Sequence, residues 1–136
     1  MEGIGVRIRS EVLTGAENAK RSTTCTTMLF GWSWFADYPD GENFMQLLYG
    51  PNSNESNAGC YQSEAYDRLY RQAEVLPEGA ERNRLFISMT RQSEGDTAWL
   101  LGAYQNRIVV VQPWVLGHKV HPFLYSILPY VDVKPH

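Results

Sequence analysis

The stretch from Trp32 to Phe44 constrains the backbone more than any other part of the chain. It interleaves Trp32, Trp34, Phe35, Tyr38 and Phe44 with the carboxylates of Asp37, Asp40 and Glu42, and it is broken by Pro39 and Gly41. Pro39 fixes its own φ and biases Tyr38 away from helix, so the chain has to turn there. The run Thr27-Met28-Leu29-Phe30 leads into it. That run is short, apolar and bounded by turn residues, which predicts a buried strand over 26–32. The aromatic and acidic loop then lies at the carboxyl end of a strand, where ligands bind in open α/β sheets. Asn43 is placed to cap a short helix over 44–48.

The flanking chain shows both secondary-structure periods. Ile4, Val6 and Ile8 alternate with Gly5, Arg7 and Arg9, predicting a half-exposed strand. Thr14 is placed to cap a helix reaching about Arg21. A polar loop runs to Gln62, with 52–57 as its most biased run. Ser63 then caps a helix to about Val75, whose apolar face is Tyr66, Leu69, Tyr70 and Ala73. Pro77-Glu78-Gly79 separates it from a second helix over 80–94, with Leu85, Phe86 and Met89 inward and Arg82, Arg84 and Arg91 outward. The short connection predicts an antiparallel pair. Residues 98–104 and 108–111 read as a hairpin turning at 105–107. Pro113 stops the return strand, and a last strand is expected over 130–133. The expected class is mixed α/β, strands at both ends and helices between.

A chain of 136 residues buries one modest core and is most simply one domain. A net charge of −3 gives no electrostatic reason to expect nucleic acid or an anionic membrane as a partner. No apolar run approaches the roughly 20 residues that span a bilayer. The first residues lack a basic region followed by an apolar one, so they do not read as a secretory signal.

Three stretches carry a resemblance. Trp34, then Ala36-Asp37-Tyr38-Pro39-Asp40, then Asn43-Phe44, resemble the W-x-A-D-Y-P-D-x-x-N-F signature of the dipeptide/oligopeptide class (family 5) of extracytoplasmic solute-binding proteins, the capture subunits of ABC importers. Cys60-Tyr61 with Tyr66-Asp67-Arg68-Leu69 resembles that class's Y-x-x-P-x-F-D-x-L helix start, and 107–117 its closing V-x-P-x-V-x-G segment. Order and spacing agree from about Gly3 to Val133. Members of the class are longer, bilobed and exported. The resemblance therefore implies a partial lobe of a type II periplasmic-binding-protein-like fold, a mixed sheet with packed helices, in which residues 1–136 are one partial domain and 130–136 cross back toward the other lobe. An excised piece, a truncated frame and a small relative all remain open.

The resemblance also implies roles. The residue matching Asp37 pairs with a peptide's α-amino group. Backbone groups at Ser33, Trp34 and Phe35 extend the ligand in strand fashion, and Trp34 lines a side-chain pocket, a β-augmentation mode of recognition. The residues alone also allow Asp37 to cap a turn through its own backbone. Trp-Ser-Trp-Phe departs from the commoner Gly-Trp-Ser before the Ala-Asp pair, which bears on pocket shape. Trp32 is expected in the core. The implied solute is a peptide, with oligosaccharide or chelated metal as alternatives. The implied partner of the whole protein is a membrane permease, and its place is the periplasm. An isolated lobe segment is expected to bind solute weakly or not at all, and to self-associate through exposed apolar surface.

The remaining candidates carry less. Cys25 and Cys60 have no C-x-x-C spacing, and in an exported protein such a pair can form a disulfide, here tying the polar loop to the sheet; their separation in space is not legible in sequence. His118 and His121 are bracketed by Gly117 and Pro122, without a third ligand. Asp40 and Glu42 suit a helix N-terminus and lack EF-hand spacing. No metal or cofactor is expected. With no nucleophile elbow, P-loop or dinucleotide fingerprint, neither is an enzyme. Two rival readings are an interaction module built on the loop at 32–44 and a hydrolase using Asp37 and Asp40.

Overall fold

The computed structural model describes residues 2–104, 106, 108–121, 123, 126 and 128–134. It is a helix-rich α/β chain. In order come α1 (Gly15–Thr23), α2 (Glu42–Met45), α3 (Glu64–Glu74), α4 (Ala80–Gly95), β1 (Val115–Leu116) and β2 (Asp132–Val133), with single 3-10 turns at Glu2–Ile4, Gln46–Leu48, Gly50–Asn52 and Leu128–Tyr130.

The helices form where local signals are strongest. Thr14 accepts a hydrogen bond from the Glu17 amide at 3.2 Å and opens α1. Ser63 accepts from the Tyr66 amide at 3.4 Å and opens α3. Side-chain oxygens of this kind satisfy amides that the first helical turn leaves over. The core lies where α3 packs on α4. Leu48, Tyr66, Tyr70 and Met89 form its buried cluster, with Met45, Tyr49, Phe86 and Ala98 against it. Tyr49 stacks on Tyr70 with ring centroids 4.3 Å apart. The Tyr66 hydroxyl donates to the Met45 carbonyl at 2.8 Å, so a polar tip is satisfied inside an apolar cluster.

The polar loop is built rather than loose. Asn57 is fully buried; its amide nitrogen donates to the carbonyls of Tyr49 (3.1 Å) and Tyr61 (2.9 Å), and its oxygen accepts from the Tyr61 amide at 3.1 Å. At Gly50 the backbone amide donates to Asp67 Oδ1 at 2.9 Å, and an added Cβ would meet Asp67 Oδ2 at 2.7 Å. Any side chain at 50 would push the α3 carboxylate off its amide. A disulfide joins Cys25, just beyond α1, to Cys60, with Cα atoms 5.8 Å apart. It ties the N-terminal region to the polar loop; no sheet lies at that point among the described residues. The crosslink spans 35 residues, a loop worth about 3–4 kcal/mol of chain entropy.

Several expected strands are absent. Ile4 falls in the first 3-10 turn, residues 5–8, 26–32, 98–104 and 108–111 are turned, extended or irregular without ladder partners, and Met28 is fully exposed. A strand needs a neighbour for its backbone groups, and the described residues supply one only to β1, which pairs antiparallel with β2 (Val115 opposite Val133, Leu116 opposite Asp132). The expected mixed sheet is thus a two-stranded antiparallel one. Gly117 closes it at φ +74, where a Cβ would run into the Tyr130 carbonyl oxygen. The expected turn at 105–107 and the end of the 130–136 segment involve Gln105, Arg107, Pro135 and His136, which lie outside the described residues. Trp32, expected in the core, is half exposed, because the strand that would carry it inward does not form.

Met89 has no exposed surface. Met89→Ala is expected to cost about 2–5 kcal/mol, read as a lower urea midpoint, because its cavity would open where α3 meets α4.

Candidate functional site

The loop at 32–44 is held from below by one side chain. Asn43 does not cap a helix: α2 begins one residue earlier, behind Gly41, and Asn43 sits inside it with no exposed surface. Its Oδ1 accepts from the Trp34 indole Nε1 at 2.8 Å and from the Asp37 backbone amide at 3.2 Å, and its Nδ2 lies 3.5 Å from Asp37 Oδ2. The capping task falls to Asp40, whose Oδ1 accepts from the Glu42 amide at 2.9 Å. A buried carboxamide is costly unless its partners are met, so the loop is folded over Asn43 as a condition of burying it.

Around that hub the sequence-derived candidates sort clearly. Trp34 and Asp37 are brought together on Asn43. The Trp34 ring is half-buried and pinned by its N–H, whereas Asp37 is exposed. Ser33 and Phe35 flank them on the exposed side. Two concavities border the loop. One, of about 480 Å³, lies between Pro39-Asp40-Gly41 and the start of α4 at Glu78, Gly79 and Arg82. The other, of about 320 Å³, is walled by Ala36, Tyr38, Pro39, Phe44 and Phe123. Neither takes Ser33, Trp34, Phe35 or Asp37 into its lining.

On the other side of the loop stands an ionic anchor. Arg82, expected to point outward, is buried: its Nη1 meets Asp40 Oδ2 at 2.5 Å, its Nε donates to the Ala73 carbonyl at 3.0 Å, and its guanidinium carbon sits 5.0 Å from the centre of the Phe86 ring. The signal was present in the spacing. Residues 82, 86, 89 and 93 share one helical stripe, and Arg82, Met89 and Ser93 are all buried on it. Burial pushes the Asp40 carboxyl up, but the Glu42 amide and the Arg82 guanidinium outweigh it and hold it below its ordinary value. Glu42 accepts hydrogen bonds from the hydroxyls of both Tyr38 and Tyr70, which links the loop to the core. Burial and that hydrogen bond push the Tyr70 hydroxyl far up, so it stays a donor.

The His121 Nδ1 accepts from the Phe123 amide at 3.1 Å, and among the described residues no group of three or more His, Cys, Asp or Glu could hold a metal ion. No helix among them is long and apolar enough to cross a membrane.

Comparison with known proteins adds a direction. The chain is similar to the periplasmic oligopeptide-binding protein OppA of Salmonella typhimurium, 28% identical over 85 residues, which is 62% of this chain and 15% of that protein. It is also similar to heme-binding protein A of Haemophilus influenzae, 28% identical over 133 residues, 96% of this chain and 24% of the relative. A third relative is the probable deoxycholate-binding periplasmic protein YgiS of Escherichia coli, 28% identical over 102 residues, 73% of this chain and 19% of the relative. The chain thus spans 15 to 24% of the length of these relatives. No family model matches the chain, and no solved structure matches it significantly.

Two outcomes follow from the anchors. Asn43→Ala leaves the Trp34 indole and the Asp37 amide without their buried acceptor, and is expected to cost about 1–3 kcal/mol in urea unfolding. Asp40→Asn is expected to cost a similar amount at pH 7. The folded Asp40 carboxyl titrates below its ordinary 3.8, so its contribution is present above that value and is lost as the pH falls through the folded value. The gap in stability between wild type and Asp40→Asn should therefore narrow from pH 5 to pH 2.

Proposed function

We propose that this chain is the carboxyl-terminal part of a solute-binding protein of the dipeptide/oligopeptide class, a partial lobe of a bilobed protein that delivers its solute to an ABC-type permease from the periplasm. The reading is one of binding rather than catalysis. The observation that carries it is the Asn43 clamp, which holds an exposed carboxylate, Asp37, beside a fixed indole, Trp34. An acid and an aromatic wall set in advance lose little entropy when a ligand arrives. In this reading Asp37 is the polar anchor, Trp34 the wall, and Ser33 and Phe35 the extended edge along which a ligand lies.

Among the solutes named for the relatives, Asp37 favours the peptide. A peptide offers an α-ammonium group to a carboxylate. Deoxycholate is an anion, and heme carries carboxylates; both would meet Asp37 with like charge. The three similar proteins support a small solute as the class of ligand.

Thermal unfolding at millimolar ligand tests this. A free tripeptide is expected to raise the melting temperature slightly. The same peptide acetylated at its amino end should not, and Asp37→Ala should abolish the rise. Asp37→Ala also removes the oxygen 3.5 Å from the buried Asn43 Nδ2, so each rise is read against that variant's own ligand-free melting temperature. An equal rise with the acetylated peptide, or a deoxycholate response kept in Asp37→Ala, would overturn the assignment of Asp37 as an ammonium anchor.

A further inference from the structure

We propose that the bridge between Cys25 and Cys60 is a thiol-sensitive latch. A small thiol opens it by attack at the Cys25 sulfur, and the arm at 2–31, which carries α1, swings free while α2, α3 and α4 keep their fold. The inference goes beyond the solute-binding reading and does not depend on it.

The first ground is how the arm is held. Its ion pairs stay within it, Arg21 meeting Glu11 at 2.8 Å and Glu17 at 2.7 Å. Asn18 Nδ2 donates to the Gly31 carbonyl at 3.4 Å, again inside the arm. The one buried residue of α1 is Ser22, whose hydroxyl turns back to the Ala19 carbonyl at 3.0 Å. No residue of the arm belongs to the buried cluster between α3 and α4. Among the described residues, the polar contacts between the arm and the rest of the chain run through the two sulfurs alone. Beside the bridge itself, Cys25 Sγ lies 3.8 Å from Asn54 Oδ1, and Cys60 Sγ lies 4.0 Å from the Thr23 carbonyl oxygen. A helix of 9 residues is marginal in water by itself, so α1 depends on the latch for its order.

The second ground is the backbone at the two half-cystines. Beyond α1 the chain reverses as at a Schellman terminus: the Thr26 amide donates to the Arg21 carbonyl at 3.0 Å, and the Cys25 amide to the Ser22 carbonyl at 3.2 Å. That reversal puts Cys25 in the left-handed region, at φ +57, where glycine is usual. Cys60 sits in the same region, at φ +51, with its amide donating to the Asn57 carbonyl at 3.1 Å. A residue with a Cβ holds such a backbone only where its surroundings impose it. Strained and accessible disulfides are the readily reduced ones.

Access selects the sulfur that is attacked. Cys25 is exposed, whereas Cys60 is half-buried. The thiolate of the small thiol bonds to Cys25 Sγ, the bond between the two Sγ atoms breaks, and Cys60 leaves with the electron pair as a thiolate that takes up a proton. A second thiol attacks the small-thiol sulfur of the mixed disulfide and releases Cys25 as a thiolate, which is protonated in turn. Two small thiols are oxidised to their disulfide, and the bridge is reduced to two cysteines. The Asn57 bonds to Tyr49 and Tyr61 do not involve the bridge, so Cys60 keeps its place for reclosure.

Amide hydrogen exchange, measured on the oxidised chain and on the chain held in reduced glutathione, reads the latch. On reduction, exchange in α1 is expected to quicken by about tenfold or more, while α3 and α4 keep their protection. Cys25→Ser should show the reduced pattern without any thiol. Samples quenched early with acid should carry glutathione on Cys25. A bridge that stays closed in glutathione overturns the proposal, as does equal α1 exchange in the two redox states. Loss of protection in α3 and α4 on reduction, a Cys25→Ser chain that does not fold, or glutathione found on Cys60 overturns it as well.

Discussion

The fold of the loop at 32–44 depends on burying one carboxamide. Asn43 has no exposed surface, and its oxygen accepts from two donors that lie six and nine residues earlier. Leaving such an oxygen without partners inside a protein costs about 1–3 kcal/mol, so the loop and α2 form together or not at all. The rest of the region follows from that closure. Once the loop lies over α2, Asp40 is carried to Arg82, and Gly41 comes so close to the Phe86 ring that an added Cβ would sit 3.2 Å from it. Glu42 is carried to the two tyrosines. The ionic pair and the tyrosine bonds fasten the loop to the helical core, whereas the carboxamide gives the loop its shape.

How much of this was legible in sequence depended on the range of the contact. Thr14 and Ser63 are read correctly as caps, because a cap acts on an amide three residues away. The α3 face of Tyr66, Tyr70 and Ala73 and the Met89 position on α4 are legible for the same reason, since helix period is a local property. Asn43 and Arg82 are misread in opposite ways. Asn43 looks like a cap because carboxamides commonly cap helices, and its distant partners are invisible to that rule. Arg82 looks solvent-facing because it is charged, although its place on the 82-86-89-93 stripe marks it as inward.

The strands fail for a different reason. The segment at 108–111 has the composition of a strand and, in part, its alternation of exposure. A helix satisfies its own backbone, whereas a strand takes its partners from elsewhere in the chain. Composition announces the capacity to pair and says nothing of whether a partner is present. Only β1 and β2 find each other among the described residues, and Gly117 beside them accepts a left-handed backbone to let the strands close.

The disulfide gives this architecture a mechanical property. A pull on the two ends of the chain travels from Cys25 straight to Cys60 through the covalent bridge. The intervening segment, which holds Trp34, Asp37 and Asn43, lies off the covalent path while the bridge is closed. Opening the bridge would add about 120 Å of extensible chain from the 35 residues it bypasses. The backbone of the loop with the clamp is therefore drawn out only after the bridge opens.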